Sequence, residues 1–152
     1  MTKVRVEGLR ELDAALAELP KATAKGIMRK VLKKRAQPIA EDFRARVAVA
    51  EGDLRDSIGV STKLSRRQRS QHRNTEGPHT VEMFVGAGPL PQAHLQEFGT
   101  ADQPPRPALR PAWDGGKHEL LNGVGKDMGG EITKAAKRLA KKAARLAAAA
   151  ER

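Results

Sequence analysis

Apolar residues recur along this chain with two different periods, and each change of period marks an element. Lys3-Val4-Arg5-Val6 alternates at every second position and predicts a short strand closed by Gly8. Leu9, Leu12, Leu16 and Leu19 then return at three- and four-residue spacing, which predicts an amphipathic helix that Pro20 ends or redirects. From Lys21 to Val47 the stripe is Ala24, Met28, Leu32, Ala36, Ile39, Phe43 and Val47, widened by Ile27 and Val31, so a long helix is expected. Pro38 lies inside it. Lacking an amide hydrogen and crowding the preceding turn, it predicts a kink or break there.

After the turn signal Gly52-Asp53, the alternation of Ile58, Val60, Thr62 and Leu64 predicts a strand. Residues 65–79 have no apolar member and read as a mobile basic loop between two strands. Val81, Met83 and Val85 alternate again and give the next strand, which Gly86 to Pro91 turns away. His94 to Phe98 fits a strand or one helical turn, since five residues do not separate the two periods. Residues 104–111 carry four prolines and are expected to be extended. Gly115, Gly116, Gly123 and Gly125 predict at best a weak helix over Trp113–Met128. The end of the chain is clearer: Ile132, Ala136, Leu139, Ala143, Leu146 and Ala150 form one stripe of a basic helix roughly 30 Å long.

These elements predict an α+β fold: an antiparallel sheet of about three to four strands packed against a long kinked helix, plus a basic C-terminal helix. The 152 residues suit one domain. Its expected limits are residues 1–128, with the basic loop at 65–79, followed by the C-terminal helix at 129–152. Composition then narrows the chemistry. Only Phe43, Phe84, Phe98 and Trp113 are aromatic, so the core rests on Leu, Ile, Val and Ala, and a core that thin gains from neighbouring subunits. The absence of Cys excludes disulfide and thiolate chemistry. No apolar run approaches the roughly 20 residues that cross a bilayer, and Met1 to Val6 lacks the apolar centre of a signal peptide, so a bacterial-type cytoplasm is the expected site of synthesis.

No catalytic pattern emerges, and the chain is expected not to be an enzyme and to need no cofactor. His72, His79, His94 and His118 lack zinc-site spacing, and neither a nucleophile elbow nor a phosphate loop is present. The net charge of +11 instead points to a polyanion, an acidic protein neighbour, or both. Lys63, Arg66, Arg67, Arg69 and Arg73 put five cations and no anion into residues 63–73. Either phosphates or carboxylates lie near this segment, or it is a solvated hairpin tip. Without interleaved aromatic residues, any contact with duplex DNA is expected along the backbone and blind to sequence. The Lys- and Arg-rich face of residues 134–145 reads equally as a solvated surface.

Two segments carry a resemblance. Gly52-Asp53-Leu54-Arg55-Asp56-Ser57-Ile58 resembles a Gly-Xaa-Leu-Arg-Xaa-Ser-Ile motif. His94-Leu95-Gln96-Glu97-Phe98-Gly99-Thr100, with Pro104 to Trp113 after it, resembles a Glu-Phe-Gly-Thr signature and its Pro-Xaa-Pro-Xaa-Leu-Arg-Pro-Ala continuation. Both belong to the phage neck and tail-completion family named after gene product ten of a lambda-like coliphage, and the likeness spans roughly residues 4–114. Ala108 stands where that family often has Phe.

The resemblance implies a virion protein of a tailed phage, assembled in the host cytoplasm. It implies a homo-oligomeric, hexameric ring joining head connector to tail, with connector and tail-tube or terminator proteins as neighbours. The alternative from another class is a free-standing basic nucleic-acid-binding protein.

In physical terms, Gly99 permits a sharp reversal after Phe98 enters the core, and Glu97 and Thr100 are placed to satisfy amides there. The prolines stiffen an arm from which Arg106 and Arg110 project toward carboxylates on a neighbour. Glu97, Phe98, Gly99, Thr100, Arg106 and Arg110 are therefore the expected subunit contact.

Overall fold

The computed structural model describes residues 9–47, 52–73, 77 and 80–150. The predicted strand at Lys3–Val6 lies outside them. Helices dominate: α1 (Leu9–Ala17), α2 (Lys21–Arg46), α3 (Asp53–Ser57), α4 (Arg66–Gln71), α5 (Pro91–Phe98) and α6 (Leu109–Ala150). Strands β1 (Gly59–Ser61) and β2 (Phe84–Gly86) pair antiparallel, with Val60 opposite Val85.

The molecule is organised around α2 and α6, which run antiparallel. At one end Ile27 and Val31 of α2 meet Ile132 and Ala135 of α6, with Leu12, Ala15 and Leu16 of α1 and the following Leu19 closing over them. At the other end Ile39, Ala40, Phe43 and Val47 pack with Ala108, Ala112 and Ile58, joined by Val60 and Val85 from the hairpin. Burial follows the predicted stripe except that Met28 and Leu32 are only half-buried and Ala40 is fully enclosed. Helix α2 continues through Pro38 without a break. Apolar anchors on both sides of the proline, Val31 and Ile39, hold the helix where its ladder lacks one bond.

Three expectations are corrected. Among the described residues the sheet has two strands. Strand β1 stops early because the Ser61 hydroxyl accepts the Lys63 amide at 2.9 Å, bending the chain away from its partner. The basic loop contains a helix, α4, begun by a reciprocal capping box: the Ser65 hydroxyl accepts the Gln68 amide while the Gln68 side chain accepts the Ser65 amide. Its end is tied to the hairpin, where His72 Nε2 lies 2.9 Å from Glu82 and its ring packs edge-on to Phe84.

The third correction concerns the glycine-rich stretch after Trp113, which is fully helical within the 42 residues of α6. A Cβ on Gly116 would sit 2.5 Å from Cγ1 of Ile39, and one on Gly123 would sit 2.7 Å from Cδ of Arg35. These glycines weaken the helix locally but let α2 approach closely enough to bury it.

Candidate functional site

Both motif segments act first inside the chain. Gly52, at φ 83°, starts α3, and its carbonyl accepts the Asp56 amide at 2.9 Å. Ser57 then works in two directions: its hydroxyl donates to the Leu54 carbonyl at 2.7 Å and accepts the Gly88 amide at 3.1 Å. That second bond ties the entry of β1 to the exit of β2. Ile58, next in sequence, is buried, and its carbonyl is held by the Arg44 guanidinium.

The second motif builds a tighter clamp. Pro91 opens α5 at its first turn, which the proline at that position favours, so His94–Phe98 is helical. The Glu97 carboxylate reaches across the reversal to the start of α6. It accepts the amides of Ala108 at 2.8 Å, Leu109 at 3.0 Å and Arg110 at 3.0 Å. A helix start leaves such donors without partners and carries partial positive charge, so one carboxylate caps α6. Burial alone opposes ionisation of Glu97, but the three amides and Arg110 together outweigh it and hold the carboxyl below its usual range.

Gly99 makes the reversal at φ 78°; a Cβ there would lie 2.8 Å from both the Gln103 carbonyl oxygen and the Pro105 nitrogen. The Thr100 hydroxyl accepts the amides of Asp102 at 3.3 Å and Gln103 at 3.1 Å, and the Arg106 amide donates to the Gln96 carbonyl at 2.8 Å.

The structure thus draws Glu97, Gly99 and Thr100 into one intramolecular knot and leaves Phe98, Arg106 and Arg110 facing outward. Phe98 does not enter the core: it is 61% exposed, its ring tilted against that of His94 with ring centres 4.8 Å apart. Its outward position follows from the cap, because turning Glu97 toward α6 rotates the next side chain away. Leu95 and Trp113 are also exposed, which the pattern of apolar positions does not predict. Trp113, the lone tryptophan and set in a proline-rich continuation, was the available signal. Pro111 does not extend the arm; it falls in the first turn of α6, where a missing amide costs nothing.

The predicted cationic residues Lys63, Arg66, Arg67, Arg69 and Arg73 are all exposed, four of them on or beside α4. Elsewhere cations cross from α2 to α6. Arg35 holds Asp127 with two bonds of 2.6 and 2.9 Å, Lys34 adds a third at 2.9 Å, and Lys30 meets Glu131 at 2.7 Å. The hydrogen bond from Arg35, then that from Lys34, keeps the Asp127 carboxyl well below the ordinary range, and Lys30 does the same for Glu131. No group of three or more His, Asp or Glu that could hold a metal ion occurs among the described residues. Nor is any described helix long and apolar enough to cross a membrane.

The antiparallel helical pair, the short hairpin stapled by Ser57 and the cap from Glu97 make up the fold; comparison with known families gives the class, that of phage tail components. The family model described as "Bacteriophage HK97-gp10, putative tail-component" matches residues 10–99, more than half of the 152-residue chain. The chain belongs to this HK97-gp10-like family. The match takes in α1 through α5 and stops at Gly99, short of the proline segment and α6. No curated protein and no solved structure matches the chain.

Proposed function

We propose that this protein is a non-catalytic ring subunit, hexameric in the assembled virion, that completes the neck or tail between the head connector and the tail tube. Membership of a tail-component family supports a place in a phage particle. The observation that carries the ring reading is Phe98. A bulky aromatic side chain held in solvent on a clamp of five side-chain-to-backbone bonds is preorganised, so docking it against a neighbouring copy orders little that is not already ordered. Leu95 and Trp113 lie exposed on the two helices this clamp joins, and Arg106 and Arg110 supply charge for a carboxylate rim.

Native mass across a concentration series tests it. The wild type is expected to populate a ring-sized multimer, alone or with its neighbour protein, and Phe98→Asp is expected to weaken assembly at least tenfold while leaving the melting curve of the monomer in place. A chain that stays monomeric at every concentration, with any neighbour, and is missing from purified virions would sink the reading.

In the same reading α4 and the residues flanking it present Lys63, Arg66, Arg67, Arg69 and Arg73 to the DNA passing through the ring or to an acidic neighbour. Changing Arg66, Arg67, Arg69 and Arg73 together to Gln should impair DNA retention with ring formation intact. Loss of the ring instead would make α4 an assembly element. The basic surface also favours one rival, a free-standing nucleic-acid-binding protein; such a protein would be absent from the particle, so virion composition separates the two.

A further inference from the structure

Helix α6 outruns its partner. Ile132 and Ala135 are its last buried residues, and from 136 onward every described side chain is exposed apart from the half-buried Leu139. At a rise of 1.5 Å per residue, the segment 136–150 projects roughly 22 Å.

The charge of the helix changes where the packing ends. Asp127 and Glu131 lie on one row of α6 and face Lys34, Arg35 and Lys30 of α2. Continued at three- and four-residue steps, that row becomes Lys134, Arg138, Lys141 and Arg145, with Lys137 and Lys142 flanking it. At 100° per residue the six cations fall within an arc of about 140°. No acid occurs between Ile132 and Ala150.

The surface does not stop at the helix. One groove, lined by Lys30, Lys34, Lys126 and Lys134 around the two acids, carries the cations from α6 onto α2. A second groove shares Lys30 and adds Arg29 and Lys33 beside the hydroxyl residues Ser61 and Thr62 at the end of β1.

From this geometry we infer that the projecting end of α6 is an arm that binds the phosphate backbone of double-stranded DNA, with the α2 surface extending the same contact. The chemistry selects the ligand. From Ile132 to Ala150 the arm's face is of one sign and matches a long polyanion, because regularly spaced phosphates hold counterions that a row of cations releases. Beyond Lys134 the arm contains only Ala, Leu, Lys and Arg, so it has no amide or hydroxyl side chain to read a base edge and no ring to stack on an unpaired base. Its opposite face offers Leu139 and Leu146 as the large apolar side chains, too little for the buried face of a membrane-surface helix. The contact is charge alone and blind to sequence.

Fluorescence anisotropy of the full-length protein with a labelled duplex, over a range of salt concentrations, tests the arm. The test variant changes Lys137, Arg138, Lys141, Lys142 and Arg145 together to Gln, leaving Lys134 to its contact with Glu131. Since each neutralised phosphate adds about 0.9 to the slope of log affinity against log salt, the variant should lose about three to four units of slope and at least tenfold in affinity near 100 mM salt. Two unrelated duplex sequences should behave alike, and the melting temperature should not move.

Unchanged affinity and slope in the variant would overturn the inference. So would wild type that ignores duplex at low salt, or a strong preference for one sequence; wild type that prefers an acidic polypeptide to duplex would reassign the arm to a protein neighbour. The Arg66, Arg67, Arg69 and Arg73 variant, tested in parallel, should retain most of the binding. The inference does not rest on the ring: a protein that stays monomeric yet binds duplex through this arm would remove the ring reading and keep this one.

Discussion

From Leu109 to Ala135, helix α6 lies along α2 and carries six glycines; from Ala136 to Ala150 its described side chains are exposed apart from the half-buried Leu139, and it contains only Ala, Leu, Lys and Arg. Intrinsic propensity ranks the two halves opposite to their burial. Glycine costs a helix about 1 kcal/mol relative to Ala, so the packed half is the poorer helix former by several such steps. Contact with α2 makes up the difference, and Gly116 and Gly123 exist at the points where that contact is closest. The outer half buries no side chain among its described residues and holds its form through Ala, Lys, Arg and Leu, all strong helix formers. One half is a helix because of its neighbours, the other because of its own residues.

The largest test of that contrast truncates an apolar side chain in each half. Ile132→Ala removes a buried contact with Ile27 and Val31 and should cost about 3 kcal/mol in urea denaturation. Leu146, 62% exposed, should lose less than about 0.5 kcal/mol on the same truncation. Comparable losses at both sites would mean that the projecting half is packed on something, and a dependence on protein concentration would identify a second copy.

Next in size is the start of the packed half. Glu97→Ala leaves three amides of α6 without their carboxylate and should cost about 2 kcal/mol. The pH dependence has a definite sign. Because the folded carboxyl is held below the ordinary glutamate value of 4.5, its contribution is complete above that pH and is lost as pH falls through the lower folded value. Glu97→Gln should therefore flatten the acid side of the stability curve. A variant as acid-sensitive as wild type would show that other carboxylates, Asp127 and Glu131 first among them, govern that limb.

Much of this was legible in the residues. The stripe from Ala24 to Val47 located α2 and most of its buried face, because a long amphipathic period survives any tertiary detail. The reversal at Gly99 and the amide-accepting hydroxyl of Thr100 followed from turn chemistry alone. The cap of α6 did not, since Glu97 acts on amides more than ten positions away and no local rule reaches that far. Phe98 was misplaced for the same reason: apolar character argues for burial, whereas the direction of its neighbour's carboxylate decided it. The α4 capping box was written in Ser65 and Gln68, but a segment with no apolar residue gave no periodicity to call for a helix. The packed half of α6 stayed hidden because a glycine weakens a lone helix and strengthens a crowded one, and sequence spacing does not say which situation holds.

Adjacent glycines make that last point measurable. Gly115 is exposed, with nothing within 4 Å of an added Cβ, whereas one on Gly116 would press on Ile39. Gly115→Ala should stabilise the protein by roughly 0.5–1 kcal/mol through propensity. Gly116→Ala should gain the same propensity but lose about 1–3 kcal/mol to overpacking, leaving a net destabilisation. Equal effects of either sign would show that α2 yields to the extra methyl group, and the close approach would then not be what the glycine is for.

The smallest expected effect lies in the free half and concerns coupling more than strength. Ala143→Gly weakens the helix around it by about 1 kcal/mol, the same local cost as anywhere in a helix interior. A helix segment with no fully buried side chain frays separately from the core, so this local loss should leave global unfolding within about 0.3 kcal/mol of wild type. Amide exchange should report it instead, with the protons of residues 140–150 exchanging faster in the variant and those of 116–132 unaffected. If melting shifts along with exchange, the free half contributes to the cooperative unit, and α6 is a single support from end to end. If duplex DNA slows exchange over 140–150 in wild type more than in Ala143→Gly, the arm takes its order from the phosphates it meets, as the packed half takes its order from α2.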